Sequence, residues 1–319
     1  MSTTEKKKRT NVNKVEIVGT LAEVGNLKKF YVDKNGNEVK KGEDYDDVVI
    51  KAEDFKKPVF VIDVDGQKIG VKAFPTSQTN KAEKFKAMET IMGYEVGTRV
   101  KVNGMMSIGD PYLTKNGNVF ENTDVTMYSL STSNVPDEDY AIGEVSGYVK
   151  GTKPEVDNED EETGRLIIDF WIYNEYNDDK SLKPFTLIST EDNAEACDDE
   201  FSDGGNAVIQ FDIVSRRVGS AQKSSGGFGS KSSKLAKGYN KIEYVPFYGK
   251  LFDDDDEEYA DFYVEESVVK KLLKAYQQKR EEAKNAPSKD DNTPKKGLGS
   301  AKRKIEIDDT DDDENPFDE

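Results

Sequence analysis

Near the start of the chain apolar residues fall on every second position: Val15, Ile17, Gly19 and Leu21 alternate with Lys14, Glu16, Val18 and Thr20. Successive side chains of a strand point to opposite faces, so this period predicts a strand over 13–24 with one buried face. Further short stretches of the same kind follow. Pro58–Val64 and Lys68–Phe74 flank Asp65-Gly66, and Phe30–Val39 contains Asn35-Gly36. Both dipeptides accept the positive φ of a type I′ turn, which predicts two hairpins. Val48–Lys51 reads as a short strand. Arg99–Met106 and Asn122–Ser131 read as two more, separated by a loop that carries Tyr112 and Lys115. Between the third and fourth main strands, Asn80–Met92 is expected as a helix of about three turns, with Asn80 as N-cap, Phe85, Met88 and Met92 on one face, and Gly93 as the stop.

Strand, long loop, hairpin, helix, strand, long loop, strand is the order of an OB-fold, a small barrel whose second and third strands and long loops bind oligonucleotides. A second cycle begins near Tyr140, where Ile142–Val149 echoes Val15–Leu21. Arg165–Asn174, Leu182–Thr190, Ala207–Val218 and Asn240–Phe252 supply its remaining strands, and Glu191–Phe201 stands in the helix position. The expected fold is therefore mainly β: an OB-fold barrel, two in tandem, with a C-terminal helix and a disordered acidic tail. The expected organisation is a basic N-terminus at 1–12, a first OB domain at 13–135, and a second OB-like domain at 136–263 containing a basic loop at 219–239. A helix over 264–285 and a linker with tail at 286–319 complete it.

Composition narrows the function. The chain has 319 residues, no histidine and one cysteine, Cys197. A histidine triad, a zincin and a zinc finger are excluded, as is an internal disulfide. No apolar run approaches the roughly 20 residues of a membrane helix, and no apolar segment follows the basic start. A soluble, cytoplasmic protein is expected. The net charge is −18, yet it is segregated. Residues 1–135 carry 21 basic and 19 acidic groups, whereas 305–319 carry nine acidic groups and no basic one. A near-neutral body with an acidic end leaves nucleic acid open as a partner.

The C-terminal run Asp308-Asp309-Thr310-Asp311-Asp312-Asp313-Glu314-Asn315-Pro316-Phe317 follows a polar linker, and the first strand opens Asn13-Lys14-Val15-Glu16-Ile17-Val18-Gly19. Together with the OB-like order these segments resemble the bacterial and bacteriophage single-stranded DNA-binding proteins. The resemblance implies a tail that competes with DNA and is captured by replication and recombination proteins through Asp311, Asp312, Asp313, Pro316 and Phe317. Two departures stand out. Asp318 and Glu319 follow Phe317, and two barrels in one chain look more like a phage version, which would place the protein in the host cytoplasm. The bland alternative for the tail is a solubility device.

Single strands are held by cations for the backbone and exposed rings for the bases. On Lys68–Phe74 the outward residues are Lys68, Gly70, Lys72 and Phe74, so Phe74 either stacks on a base or caps the barrel. Trp171 and Tyr173 lie opposite Leu166, Ile168, Phe170 and Ile172. With apolar groups on both faces they form either a stacking platform or a seam between domains. Ser215–Lys250 holds eight cations, among them Arg216, Arg217, Lys231, Lys234 and Lys237, interleaved with rings such as Tyr239, against one acid, Glu243. It reads as a nucleic-acid loop or as a Ser/Lys linker. Gly226–Ser232 lacks the first glycine of a phosphate loop, and the six acids Asp253–Glu258 lack the convergence of a two-metal site. No catalytic residue, cofactor or metal is expected. The leading expectation is a non-enzymatic protein that coats single-stranded DNA in replication, recombination and repair; the runner-up is a scaffold whose acidic end mimics DNA or docks a partner.

Overall fold

The computed structural model describes residues 11–40, 42–114, 116–157, 160–176, 179–218 and 239–285. In chain order the strands of the first half are β1 (Asn13–Val24), β2 (Leu27–Val32), β3 (Glu38–Val39), β4 (Asp47–Ala52), β5 (Phe60–Val64), β6 (Gln67–Ala73) and β7 (Thr76–Ser77). After helix α1 (Ala82–Met92) come β8 (Arg99–Ile108), β9 (Tyr112–Leu113), β10 (Val119–Phe120) and β11 (Thr123–Ser131). The second half holds β12 (Tyr140–Val156), β13 (Glu162–Tyr176), β14 (Asp179–Ile188), α2 (Ala194–Phe201), β15 (Gly205–Val218), β16 (Tyr239–Leu251) and α3 (Glu266–Asn285). No helix among the described residues is long and apolar enough to cross a membrane.

The strand pairings close a ring. β1 pairs antiparallel with β5 and β8, β5 with β6, β8 with β11, and β11 runs parallel to β6 with Val125 beside Val71. This is the OB order expected from the sequence. The Asp65-Gly66 turn has positive φ at both residues, as a type I′ hairpin requires. Ile17, Leu21, Ile62, Ile69, Val71, Val102 and Met106 fill the interior and are essentially inaccessible. Each such side chain contributes about 1.5–3 kcal/mol by leaving water. β2, β3, β4 and β7 form a separate four-stranded sheet in the order β3-β2-β4-β7. Helix α1 packs on β4 and β7 and joins the core through Phe85, Met88 and Ile91. It starts later than expected. Asn80 is not its N-cap; the Asn80 N–H instead donates to Ser77 Oγ at 2.9 Å, and the cap position falls on Lys81.

The second half repeats the order. β12 pairs with β13 and β15, β13 with β14, and β15 with β16, while β14 and β16 lie against each other. Four phenyl and phenol rings, Phe170, Phe185, Phe211 and Tyr244, interlock in the core with centroids 4.6–6.5 Å apart. α2 packs on β12, β13 and β16 and buries Cys197 and Phe201.

The two barrels are joined by their first strands, β1 and β12, which pair antiparallel from Asn13↔Val145 to Val18↔Tyr140. Gly19 and Gly147 identify the matching positions. At each, a Cβ would collide with a carbonyl of the barrel's second strand, Asp63 or Trp171, so the first strand can cross there only as glycine. Counted from these glycines, Val15 and Gly143 are counterparts, and they face each other in the ladder. A local two-fold axis therefore runs through the Val15–Gly143 pair.

α3 breaks that symmetry. Its Val269 and Tyr276 are buried, with Val268, Leu272 and Leu273 half-buried, against Trp171, Tyr173 and Leu182 on the outer face of β13 and β14. The Trp171 and Tyr276 rings meet edge to face at 5.0 Å, and the Tyr276 hydroxyl donates to Glu121, beside the β9–β10 hairpin. Burial and the Glu121 carboxylate raise the Tyr276 pKa, so the phenol keeps this proton. Tyr276→Ala removes the anchor. It is expected to cost about 2 kcal/mol, at the low end of large-to-small core changes, and to red-shift the fluorescence of Trp171, the chain's one tryptophan. An unshifted spectrum would mean that α3 does not shield the indole.

Candidate nucleic-acid interface

The axis makes the outer faces of the two barrels comparable. In the ladder between first and second strands Thr20 faces Asp63, while Tyr148 faces Trp171, so Asp63 stands where the second barrel has its tryptophan. The outer face of β5 and β6 carries Asp63, Lys68, Gly70 and Lys72, and among the described residues no helix packs on it. The outer face of β13 and β14 carries Trp171, Tyr173 and Leu182, and α3 covers it.

Trp171 is 8% exposed; its indole N–H donates to Asp169 at 2.8 Å, and Lys150 Nζ sits 5.5 Å from its ring. Both aromatics expected as a stacking platform are thus closed off by a helix of the same chain. Their place is a seam, though one with α3 rather than with the first barrel. Apolar side chains on both faces of β13 required a cover, and α3 supplies it.

The first barrel's residues remain accessible. Lys68 Nζ lies 3.9 Å from Glu23, and Lys72 Nζ donates to Asp124 at 2.8 Å. Phe74, just beyond β6, is 46% exposed. Half its surface in water is a poor fit to a barrel cap. Phe74→Ala is expected to leave the melting temperature nearly unchanged and to weaken oligonucleotide binding by about 1–3 kcal/mol, the worth of one stacked base. A large loss of stability would instead identify it as a packing residue. Tyr112 sits on the β9–β10 hairpin, its hydroxyl 3.1 Å from Asn122 Oδ1 and its ring edge-on to Phe120. That hairpin packs against α3.

The β15–β16 hairpin lies against β6. The backbone N–H of Ser215 donates to Gln67 Oε1 at 2.7 Å, which sets Arg216 beside the start of β6. Farther along, a cleft of about 170 Å³ opens between Lys56, Gly70 and Lys72 of the first barrel and Ile242 and Tyr244 of the second. Within the hairpin, Arg216 pairs with Lys241 and Val214 with Glu243, placing all four on its outer face. Glu243 is 5% exposed and accepts from Arg165 Nη1 at 3.1 Å, while Arg165 also grips Glu155 with two bonds of 2.8 and 3.0 Å. Burial pushes the Glu243 carboxyl up, but the Arg165 hydrogen bond and the charges of Arg165, Lys241 and Arg216 outweigh it and hold the group ionised below its ordinary range.

Of the expected site residues, Lys68 and Lys72 lie on the outward face of β6, with Lys72 lining the cleft, Arg216 stands on the outer face of the β15–β16 hairpin, and the backbone of Arg217 and Tyr239 continues that hairpin. Lys115, Lys231, Lys234, Lys237, Asp311, Asp312, Asp313, Pro316 and Phe317 lie outside the described residues. Several residues were not anticipated. Phe55 is 75% exposed with Lys56 Nζ 6.0 Å from its ring, and Lys51 Nζ lies 4.6 Å over Phe30 on the β2–β4 sheet. The run Phe55-Lys56-Lys57, a ring followed by two cations, was the available signal for the first of these.

A family model named YorF matches residues 11–286 of the 319. The chain belongs to the YorF family. No curated protein matches it. Solved structures similar to this YorF-family chain include the wild-type single-stranded DNA binding protein from Thermus aquaticus, at 9% identity and a TM-score of 0.44, covering 78% of this chain and 96% of that one. A deletion mutant of the same protein aligns at 10% identity and a TM-score of 0.44, covering 78% and 98%.

Proposed function

We propose that this protein binds single-stranded DNA without sequence preference and without catalysis. The observation that carries the reading is the uncovered face of β5–β6 joined to the β15–β16 hairpin. In a chain of net charge −18, Lys56 and Lys72 line the cleft between β6 and this hairpin, Lys68 and Lys72 share the outward face of β6, the ring of Phe74 just beyond β6 is exposed, and Arg216 and Lys241 face each other across the hairpin. Cations for phosphates and rings for bases are the two elements a sequence-tolerant single-strand site needs. Fluorescence anisotropy of labelled oligo-dT across a salt series tests it: log K should fall steeply with log salt. A slope near zero sinks the reading.

The finer proposal is that the protein, phage-encoded, coats DNA during replication, recombination and repair and recruits partner proteins through the acidic tail. The expected DNA-binding role extends to Lys231, Lys234 and Lys237 of the 219–239 segment. With nine carboxylates and no cation between Ile305 and Glu319, the tail is a polyanion carried by the same chain as the basic residues. Deleting 305–319 should tighten oligonucleotide binding at low salt, the gain vanishing as salt screens both interactions. Affinity that does not change on deletion would favour the solubility reading instead.

A further inference from the structure

The one acid in the cationic stretch Ser215–Lys250 is also its most buried charged side chain among the described residues. Glu243 sits on the outer face of the hairpin, bonded to Arg165 of β13. Its other neighbours are different in kind: Arg216 Nη1 lies 3.8 Å from Oε2 and Lys241 Nζ 3.5 Å from Oε1, and these two side chains are 58% and 45% exposed. They stand directly across from each other in the ladder. Arg165 supplies Glu243 with its close, buried partner, so the two exposed cations are drawn toward the carboxylate without being consumed by it.

We propose that Glu243 is a positioning residue for DNA: its buried carboxylate holds Arg216 and Lys241 as a paired clamp for a backbone phosphate of the strand that crosses from β6 onto the hairpin. The inference rests on the single-strand reading above. Free Arg and Lys side chains lose rotamer entropy on gripping a phosphate, and a carboxylate that already restrains both removes part of that cost before the strand arrives. The same group ties the β12–β13 hairpin to β16 through Glu155–Arg165–Glu243, so the clamp stands on two hairpins at once.

The proposal is separable from simple charge. Removing a negative charge from a basic site should strengthen binding to a polyanion, whereas removing a positioning group should weaken it. The test uses the full-length protein, labelled oligo-dT, a salt series and a thermal melt. Glu243→Gln is expected to bind about five-fold or more weakly at low salt, with a log K–log salt slope shallower by about 1, the share of one to two phosphate contacts. Glu243→Asp keeps the net charge, shortens the reach by one methylene, and is expected to lose affinity in the same direction. In an Arg216→Ala/Lys241→Ala background Glu243→Asp should change nothing further, because the groups it positions are gone. Glu243→Gln binding more tightly, Glu243→Asp binding as the unaltered protein does, or an equal loss in the double-alanine background would each overturn the proposal. Unaltered protein that binds oligo-dT without salt dependence marks instead the failure of the single-strand reading itself.

Discussion

Replacing Lys68, Lys72, Arg216 and Lys241 together by Ala is expected to flatten the salt dependence of oligo-dT binding by about 2–3 in slope and to weaken binding at low salt on the order of 100-fold. Each phosphate contact to a single strand contributes about 0.7 to that slope through released counterions, so about 3 is the upper bound, reached when each of the four cations holds its own phosphate, and about 2 is expected when Arg216 and Lys241 share one. The fold should survive. Lys68 is an exposed partner of Glu23 at 3.9 Å, Lys72 is half-buried beside an Asp124 that stays accessible to water, and Arg216 and Lys241 are largely exposed. Surface pairs of this kind contribute about 0–1 kcal/mol each. A slope that stays unchanged while the melt is normal would move the DNA path elsewhere, to the Phe30–Lys51 sheet or the segment 219–238.

Gly147→Ala carries the largest expected loss of stability, about 3 kcal/mol, which corresponds to roughly 10 °C in melting temperature. A methyl there would press into the carbonyl of Trp171 and the ring of Phe170, both held by ladders on either side. Gly19→Ala should act in the same direction through the Asp63 carbonyl and the Ile62 side chain. Gly109→Ala is the control. Its nearest neighbours would be at ordinary contact distance, 3.7 Å or more, so a change within about 0.5 kcal/mol is expected. Equal melting curves for the Gly147 and Gly109 variants would show that the first strand has room to move away from the second.

The barrel order was legible because its signals are local: alternation in β1, β5, β6, β8 and β11, and a glycine turn wherever two paired strands follow at once. The Asn35-Gly36 turn gave the β2–β3 hairpin in the same way. Three elements escaped for a physical reason. β7, β9 and β10 have two residues each, too few to show any period. β12 was expected over eight residues and spans 17, because Lys150–Val156 pairs with β13 through two register shifts while lacking apolar alternation. The site divided along similar lines. Lys68, Lys72 and Phe74 follow from strand alternation alone. Trp171 and Tyr173 do not, since alternation places them outside the barrel and says nothing of a helix ninety-odd positions later that lies over them. Glu243 was visible only as an exception in a count of charges; its meaning depends on Arg165, which comes from another hairpin.

The pairing of Val15 with Gly143 has the geometry of a homodimer interface, the same strand of each half laid against its counterpart. In two separate molecules such a contact dissolves on dilution. Here both halves belong to one chain, and a tether of this length holds them at an effective concentration in the millimolar range. The arrangement of two barrels therefore persists at the few copies per cell where an untethered pair would fall apart, and its occupancy is independent of how much protein is made.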